Sequence, residues 1–581
     1  MIPLVAFATL ASPMAFGVEG VQGGGARWLP GPEAIAPSER TVGQVQEAPA
    51  PAAGPRLVVL IVVDQLRGDL LTSYGEAFEG GLARLADRGL RFVNATHDHA
   101  HTETSPGHAS LSTGTFPSKH GMVRNVWWER SEGGWNQVFN VIDEQAPILG
   151  RPDLAGGSPR RLERTGLADW LLAQSPGSRV VSLSAKDRAA VLLAGQSSDV
   201  VYWIEGSEGR FMTSTFYRSE DLPWVTRFNA EEMPGLVGLP AWESEVPEAF
   251  RGLSRRDTVP YEADREHTHF THFFLTPEEQ ALSEVRARAL EAGASEDTLP
   301  VVAGEAGPRA TQREWWDGYT PGPDAAVLAL ARVALEEEGL GADAVPDLLA
   351  LSLSQLDRIG HRYGPRSRES LDVLVHLDRE LGAFFEYLDQ RLGPEGYLVA
   401  FSGDHGVLDL PEYLQETGRP GGRLSREAVN SLQADINAAV RANSADGPDA
   451  VLQAMTEVTR AQPWVADAWP RASLLAGETP DSFAVFARNS VHPDRPADVL
   501  SRFGVEIRIQ TNHLTWLWPN GTTHGSPYYY DRHVPRVFMG PGIEPGVREE
   551  RVATVDLAPT LARILGLQPP DDLDGSDLFG R

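Results

Sequence analysis

Arg56-Leu-Val-Val-Leu-Ile-Val-Val-Asp64 (RLVVLIVVD, residues 56–64) is an unbroken apolar run, rich in β-branched residues, that ends on a carboxylate. No polar residue interrupts Leu57–Val63, so the stretch reads as a strand buried on both faces, the habit of parallel sheets covered by helices. Asp64 then stands at the C-terminal end of the strand, where open α/β sheets place their sites. The rhythm recurs in RVVSLS (179–184), in DLLALSLSQLD (347–357) and in YLVAFSGDH (397–405), which ends on Asp404-His405. Helical spacing predicts helices over 77–88, 107–116, about 323–340 and 555–566. A longer one over 368–392 carries Leu371, Leu374, Val375, Leu381, Phe385 and Leu388 on one face. The expected fold is one α/β domain over 56–581, a mostly parallel sheet between helices. Insertions at about 202–320 and 411–480 cap the C-terminal strand edge. Two helices are expected within 425–461, then strands near 482–488 and 503–510.

Composition narrows the function classes. The chain has 581 residues, 41% hydrophobic and 23% charged, with a formal net charge of −29. Such a charge argues against nucleic acid or an anionic membrane surface as partner. An anionic substrate would need local cations, bound metal or Arg and Lys, to reverse the field at its site. The absence of cysteine excludes disulfides, thiolate metal sites and thiol catalysis. Residues 1–17, MIPLVAFATLASPMAFG, have the apolar core and small-residue end of a secretory signal without its positive start. Residues 18–55, ending in PAPAAGP, read as a flexible linker. No other run is apolar and long enough to span a bilayer. The expectation is a soluble, monomeric protein exported to the periplasm or the extracellular space.

The chemistry gathers around HDHAHTETSPGHASLSTGTFPSKHGMVRN, residues 97–125. Thr104-Ser105-Pro106-Gly107-His108 reads as a tight turn feeding a helix. That geometry sets a hydroxyl beside free backbone N–H groups at the positive helix end, suited to an oxygen nucleophile attacking an anion. An ordinary turn with a capping Thr or Ser is the alternative. Elsewhere Asp64 stands alone, Asp357 and His361 are spaced i, i+4, Asp404 and His405 are adjacent, and His524 sits in a Gly/Thr/Ser loop. Singly, each acid is as readily a helix cap. Together, three Asp and three His on one sheet edge suffice for two metal ions, and oxygen with imidazole nitrogen suits zinc. A pair of ions a few Å apart can activate an oxygen nucleophile and clamp the leaving oxygen of a phosphoryl transfer. His97, His99 and His101, and His267, His269 and His272, form two further clusters, neither at a predicted strand end. Tyr528, Tyr529 and Tyr530 read as packing, with one of them a candidate edge of a leaving-group pocket.

VVDQLRGD, TETSPGHASLSTGTFPSKHG, SAKDRAAVLLAG, SQLDRIGHRYGP, FSGDHG and GTTHGSPYYYDRHVP together resemble the alkaline phosphatase superfamily. Within it the chain is most similar to the phosphate-irrepressible, PafA-type alkaline phosphatases, relatives of the nucleotide pyrophosphatase/phosphodiesterases. The resemblance covers nearly all of 56–581 and implies an alkaline-phosphatase-like α/β/α sandwich. It also implies zinc-dependent hydrolysis of small phosphate monoesters through a phospho-threonine intermediate, with two Zn²⁺ per chain. Thr104 would be the nucleophile. Asp357, His361 and His524 would hold the zinc on the leaving-group side, and Asp64, Asp404 and His405 the one beside the Thr104 oxygen. Asn125, Lys186 and Arg188 would bind the substrate oxygens. Physical chemistry agrees, since a guanidinium fork, an ammonium and a neutral amide match a phosphate dianion. Lys186 and Arg188, two apart in an extended segment, would face the same way, although a solvated K-D-R loop is the bland alternative.

Relatives are sorted by the same residues. Sulfatases need Cys or Ser at the Thr104 position and Arg at that of His108. Diesterases share the Thr and Asn, but a diester monoanion is a poorer match for two extra cations, so a phosphodiesterase or nucleotide pyrophosphatase is the second reading. A zinc-dependent binding protein without turnover is the reading of another class. Selectivity is expected to come from the 202–320 insertion.

Overall fold

Leu57, Val59, Ile61 and Val63 point into one core and Val58, Leu60 and Val62 into another, so the first strand is buried on both faces. Burial of each such side chain contributes roughly 1.5–3 kcal/mol. The computed structural model describes residues 54–131, 134–237, 241–263, 270–273, 312–479, 481–514 and 517–580. The signal-like stretch, nearly all of the 18–55 linker, His267 and His269 lie outside the described residues.

The central sheet has nine strands. They are β1 (Leu57–Val63), β2 (Leu90–Thr96), β3 (Val180–Ser184), β4 (Val200–Glu205), β5 (Arg210–Met212), β6 (Asp347–Leu353), β7 (Tyr397–Gly403), β8 (His533–Met539) and β9 (Gly546–Ala553). Their spatial order is β9-β2-β8-β7-β1-β6-β3-β4-β5. The middle of the sheet, β7-β1-β6-β3-β4, is parallel throughout. β8 runs antiparallel to both of its neighbours, β7 and β2.

The helices that matter here are α1 (Gly81–Arg88), α2 (Thr104–Thr113), α3 (Leu167–Gln174), α4 (Asp187–Ala194), α5 (Gly322–Glu337), α6 (Gln355–Tyr363), α7 (Arg368–Leu392), α8 (Arg426–Asn443), α9 (Pro448–Arg460), α10 (Ser482–Ser490) and α11 (Leu557–Ile564). α1, α5, α6 and α7 share the core of Ile61. α2, α3, α4 and α11 lie over the opposite face. The molecule is the expected α/β/α sandwich. None of the described helices is long and apolar enough to cross a membrane.

Several expectations change. The strand expected over 347–357 stops at Leu353, and Asp357 falls in the first turn of α6. The strand expected near 482–488 is the helix α10. Its aromatic and β-branched residues suggested extension, but Ala484, Ala487 and Ser490 are buried at helical spacing and the Asp481 carboxylate caps Phe483 N–H. Residues 200–212, read in part as insertion, supply the last two strands of the sheet. The helix expected from 107 begins at Thr104 itself. The later insertion has its own core, in which Leu432, Ile436 and Met455 of α8 and α9 meet the antiparallel pair Val465–Pro470 and Val505–Ile509.

Candidate active site

Three adjacent parallel strands fix the acids. Val63 pairs in register with Leu353 on one side and Gly403 on the other, so β1, β6 and β7 end level. Asp64 and Asp404 each follow directly, and a single residue, Ser354, separates the end of β6 from the start of α6. Strands about 4.8 Å apart therefore deliver three carboxylates to one edge. Asp357 and His361 share a face of α6, with His361 Nε2 3.2 Å from Asp357 Oδ1. His524 Nε2 lies 3.5 Å from the same oxygen. His405 Nε2 is 3.3 Å from Asp64 Oδ1 and 3.5 Å from Asp404 Oδ2.

The imidazoles are all oriented alike. His361 Nδ1 faces the Thr522 carbonyl at 2.8 Å, His405 Nδ1 that of Gly406 at 3.0 Å, and His524 Nδ1 that of Thr102 at 2.7 Å. A nitrogen facing a carbonyl carries a proton, so in each ring Nε2 is the nitrogen aimed at the carboxylates and is the one that could ligate a metal once deprotonated. Asp64 Oδ1, Asp404 Oδ2 and His405 Nε2 are buried and make no hydrogen bond. Such atoms are costly unless something else satisfies them. Two sets, Asp64–Asp404–His405 and Asp357–His405–His524, each bring their ligand atoms within 4.8 Å of one another, as a metal site requires. His405 thus belongs to both, its ring stacked on His524 at 3.6 Å, while His361 joins through Asp357. The donor set, oxygen and imidazole nitrogen without sulfur, fits a borderline divalent ion such as zinc.

Thr104 opens α2 beside this edge. Gly107 permits the approach: a Cβ there would lie 2.1 Å from the Asp404 carbonyl oxygen. His108 Nδ1 is 2.9 Å from the Thr104 carbonyl and 3.1 Å from Asp404 Oδ2, and its Nε2 reaches Ser352 Oγ at 2.8 Å. Asn125 is held against the same helix start. Its Oδ1 accepts from Ser105 N–H at 3.0 Å, and its own N–H donates to Glu103 at 2.7 Å.

Lys186 and Arg188 depart from the extended pair expected. Lys186 caps α4 and Arg188 lies within the helix, 3.9 Å from Asp187. Lys186 Nζ is 2.5 Å from both Asp64 Oδ2 and Asp357 Oδ2, so the ammonium bridges the two carboxylates. Burial and Asp357 push the Asp64 carboxyl up, yet Lys186 and His405 outweigh them and hold it below the usual carboxylate range. For Asp357, burial is again outweighed, by Lys186 and His361, and the group is held far down. Burial lowers His405, but Asp404 and Asp64 raise it to about 9. Burial and the neighbouring His405 lower His524 to about 4.

Gln65 is a residue of the candidate site that sequence reasoning passed over. Its backbone N–H donates to Asp404 Oδ1 at 3.0 Å and its side-chain amide to Asp357 Oδ1 at 2.6 Å, tying the two acids together. Only its place directly after Asp64 hinted at this. None of His97, His99 and His101 belongs to either metal-type set; His97 is buried and bonded to Gly403 O and Thr554 Oγ1, and His101 is half-buried beside the His524 loop.

A profile of the type I phosphodiesterase / nucleotide pyrophosphatase family matches residues 58–458. The chain belongs to that family. The match spans every site residue above except His524. Among members with a curated name, alkaline phosphatase PafA of Elizabethkingia meningoseptica is 29% identical over 558 residues, covering 91% of this chain and 95% of the relative. Alkaline phosphatase PhoV of Synechococcus elongatus is 29% identical over 544 residues, covering 90% and 92%. The crystal structure of wild-type alkaline phosphatase PafA superposes with a TM-score of 0.77 at 27% identity, over 92% of this chain and 99% of that one. The phosphodiesterase-family fold and the PafA likeness accord with the sandwich and with acids at the ends of its middle strands.

Proposed function

We propose that this enzyme hydrolyses phosphate monoesters, with Thr104 as nucleophile and two zinc ions held by the Asp/His edge. The observation that carries the reading is the convergence of Asp64, Asp357, Asp404, His361, His405 and His524 on three adjacent strand ends, with the start of α2 packed on Asp404. The alkaline phosphatases to which the chain is similar support it. Asp64, Asp404 and His405 would hold one ion and Asp357, His361 and His524 the other, His405 lying close to both. Ions held there would lower the pKa of the attacking hydroxyl and neutralise the departing oxygen.

The chain's own groups do the rest. Thr104 Oγ attacks phosphorus in line, an Oγ–P bond forms, the ester P–O bond breaks and the alcohol leaves. Water then cleaves phospho-threonine and releases inorganic phosphate. Asn125, pinned at the helix start, and Lys186, released from its carboxylates, stabilise the equatorial oxygens together with Arg188. Preorganised charge of this kind contributes most where charge develops. Residues 1–17 support export, which puts the reaction outside the cytoplasm.

Purified protein assayed on matched aryl monoester, diester and sulfate ester, with zinc counted per chain, tests the reading. Monoester turnover should dominate, and Thr104→Ala should lose it by at least about a thousandfold while keeping zinc. The family description favours one competitor, a phosphodiesterase. Replacing Lys186 and Arg188 together should cut monoester turnover far more than diester turnover. Equal losses would favour the diesterase.

A further inference from the structure

Between α10, the strand Val505–Ile509 and the His524 loop lies a cavity of about 140 Å³. That is close to the ~150 Å³ that holds one benzene ring. Its walls carry four aromatic side chains, Trp469, Phe483, Trp518 and Tyr530. Two contacts join it to the metal-type edge. His524 is itself part of the wall, and Trp518 stacks on His361 with ring centres 5.2 Å apart and planes 13° from parallel.

Most of the charged groups around the cavity are paired, although Arg508 Nε and Asp531 Oδ1 are buried without a hydrogen bond. Arg124 pairs with Glu103, Glu506 with Arg471 at 2.7 Å and Ser501 at 2.9 Å, and Asp531 accepts from Ser526. Asp498 takes the Ser501 N–H, and Arg508 lies 3.4 Å from Asp481 with its guanidinium 4.2 Å over the Phe483 ring. What remains for a ligand is aromatic face and edge rather than net charge. A ring entering there would be offered stacking and T-shaped contacts. His524 in the wall and His361 behind Trp518 are the imidazoles on the side of Asp357, where the departing oxygen is placed in the reading above.

We propose that this cavity is the leaving-group subsite and that it selects esters whose alcohol is a single, uncharged aromatic ring; the inference rests on the monoesterase reading. Selectivity then comes from the later insertion and the His524 loop. Among the described residues lining the cavity, none comes from 202–320, the segment from which selectivity was expected.

The test uses full-length, zinc-loaded protein and two esters, phenyl phosphate and ethyl phosphate. Phe483, only partly buried, is truncated in Phe483→Ala, and Ile507→Trp fills the cavity instead. In each variant the ratio of kcat/KM for phenyl over ethyl phosphate should fall roughly tenfold relative to wild type, the loss appearing in KM. An unchanged ratio in both overturns the subsite. Phenol, which needs no hydrolysis, tests the cavity separately by titration calorimetry. Binding to wild type that weakens about tenfold in both variants supports the cavity even where no ester is turned over, in which case it is the monoesterase reading that fails. Equal phenol binding by all three proteins overturns the subsite whatever the esters do.

Discussion

Gln65 holds φ at 66°, a left-handed angle that non-glycine residues adopt at a cost of order 1–3 kcal/mol. What offsets the cost is the pair of hydrogen bonds it makes to Asp404 and Asp357. Those bonds orient two candidate ligands, and loss of such outer partners typically weakens metal binding 10–100-fold. Gln65→Ala should therefore lower zinc affinity by about that factor in a chelator competition, with folding retained. Gly107 makes a sharper prediction. Alanine there gains about 1 kcal/mol of helix propensity but drives a methyl to 2.1 Å from a backbone oxygen that cannot yield. Overpacking of this kind costs roughly 1–3 kcal/mol or more, so the clash wins. Gly107→Ala should unfold at lower urea and lose turnover by at least tenfold as α2 is displaced from Asp404. At this scale the acids and histidines were legible as types and spacings. The positive φ of Gln65 and the shared position of His405 were not, because both are set by contacts between residues some 300 positions apart.

Asp324 links two elements. From the first turn of α5 it accepts the Ser354 and Gln355 N–H groups, closing the start of the helix that carries Asp357 and His361. Burial raises its carboxyl to about 7 although those N–H groups pull it down. A raised carboxyl binds its proton more tightly folded than unfolded, so the stability it contributes is present at low pH and lost as pH rises from about 4 to about 7. Asn keeps an acceptor and removes the titration. Between pH 5 and pH 8 the stability of wild type relative to Asp324→Asn should fall by roughly 2–3 kcal/mol in urea unfolding. A flat difference would count against the assignment. Elements with one dominant signal were readable: β1 from its apolar run, and α7 over 368–392 from its apolar stripe. α10 was misread because a short aromatic, β-branched segment satisfies either period. β5 was missed because a three-residue edge strand has no signature of its own, and β4 because its apolar run straddles the point where the insertion was expected to begin.

For the whole molecule the charge of −29 matters. In the proposed reading Lys186, Arg188 and bound metal would act at contact, whereas the distant field would repel a dianionic ester. Raising ionic strength from about 10 mM to 150 mM shortens the screening length from roughly 30 Å to 8 Å. The value of kcat/KM for a monoester should therefore climb, by about two- to fivefold, while that for a diester climbs less. Steady-state rates in a salt series check this. The parallel sheet with covered faces was visible in the sequence; the closeness of α10 and the His524 loop was not, since it depends on how the later insertion folds back. One consequence of the level strand ends concerns synthesis. Residues 64, 357, 404 and 524 meet only after β1, β6 and β7 have come together across hundreds of residues. Contacts of such long reach form late. A nascent chain that has not yet reached His524 lacks a ligand of the second proposed ion site, so filling that site would wait for the C-terminal part of the polypeptide.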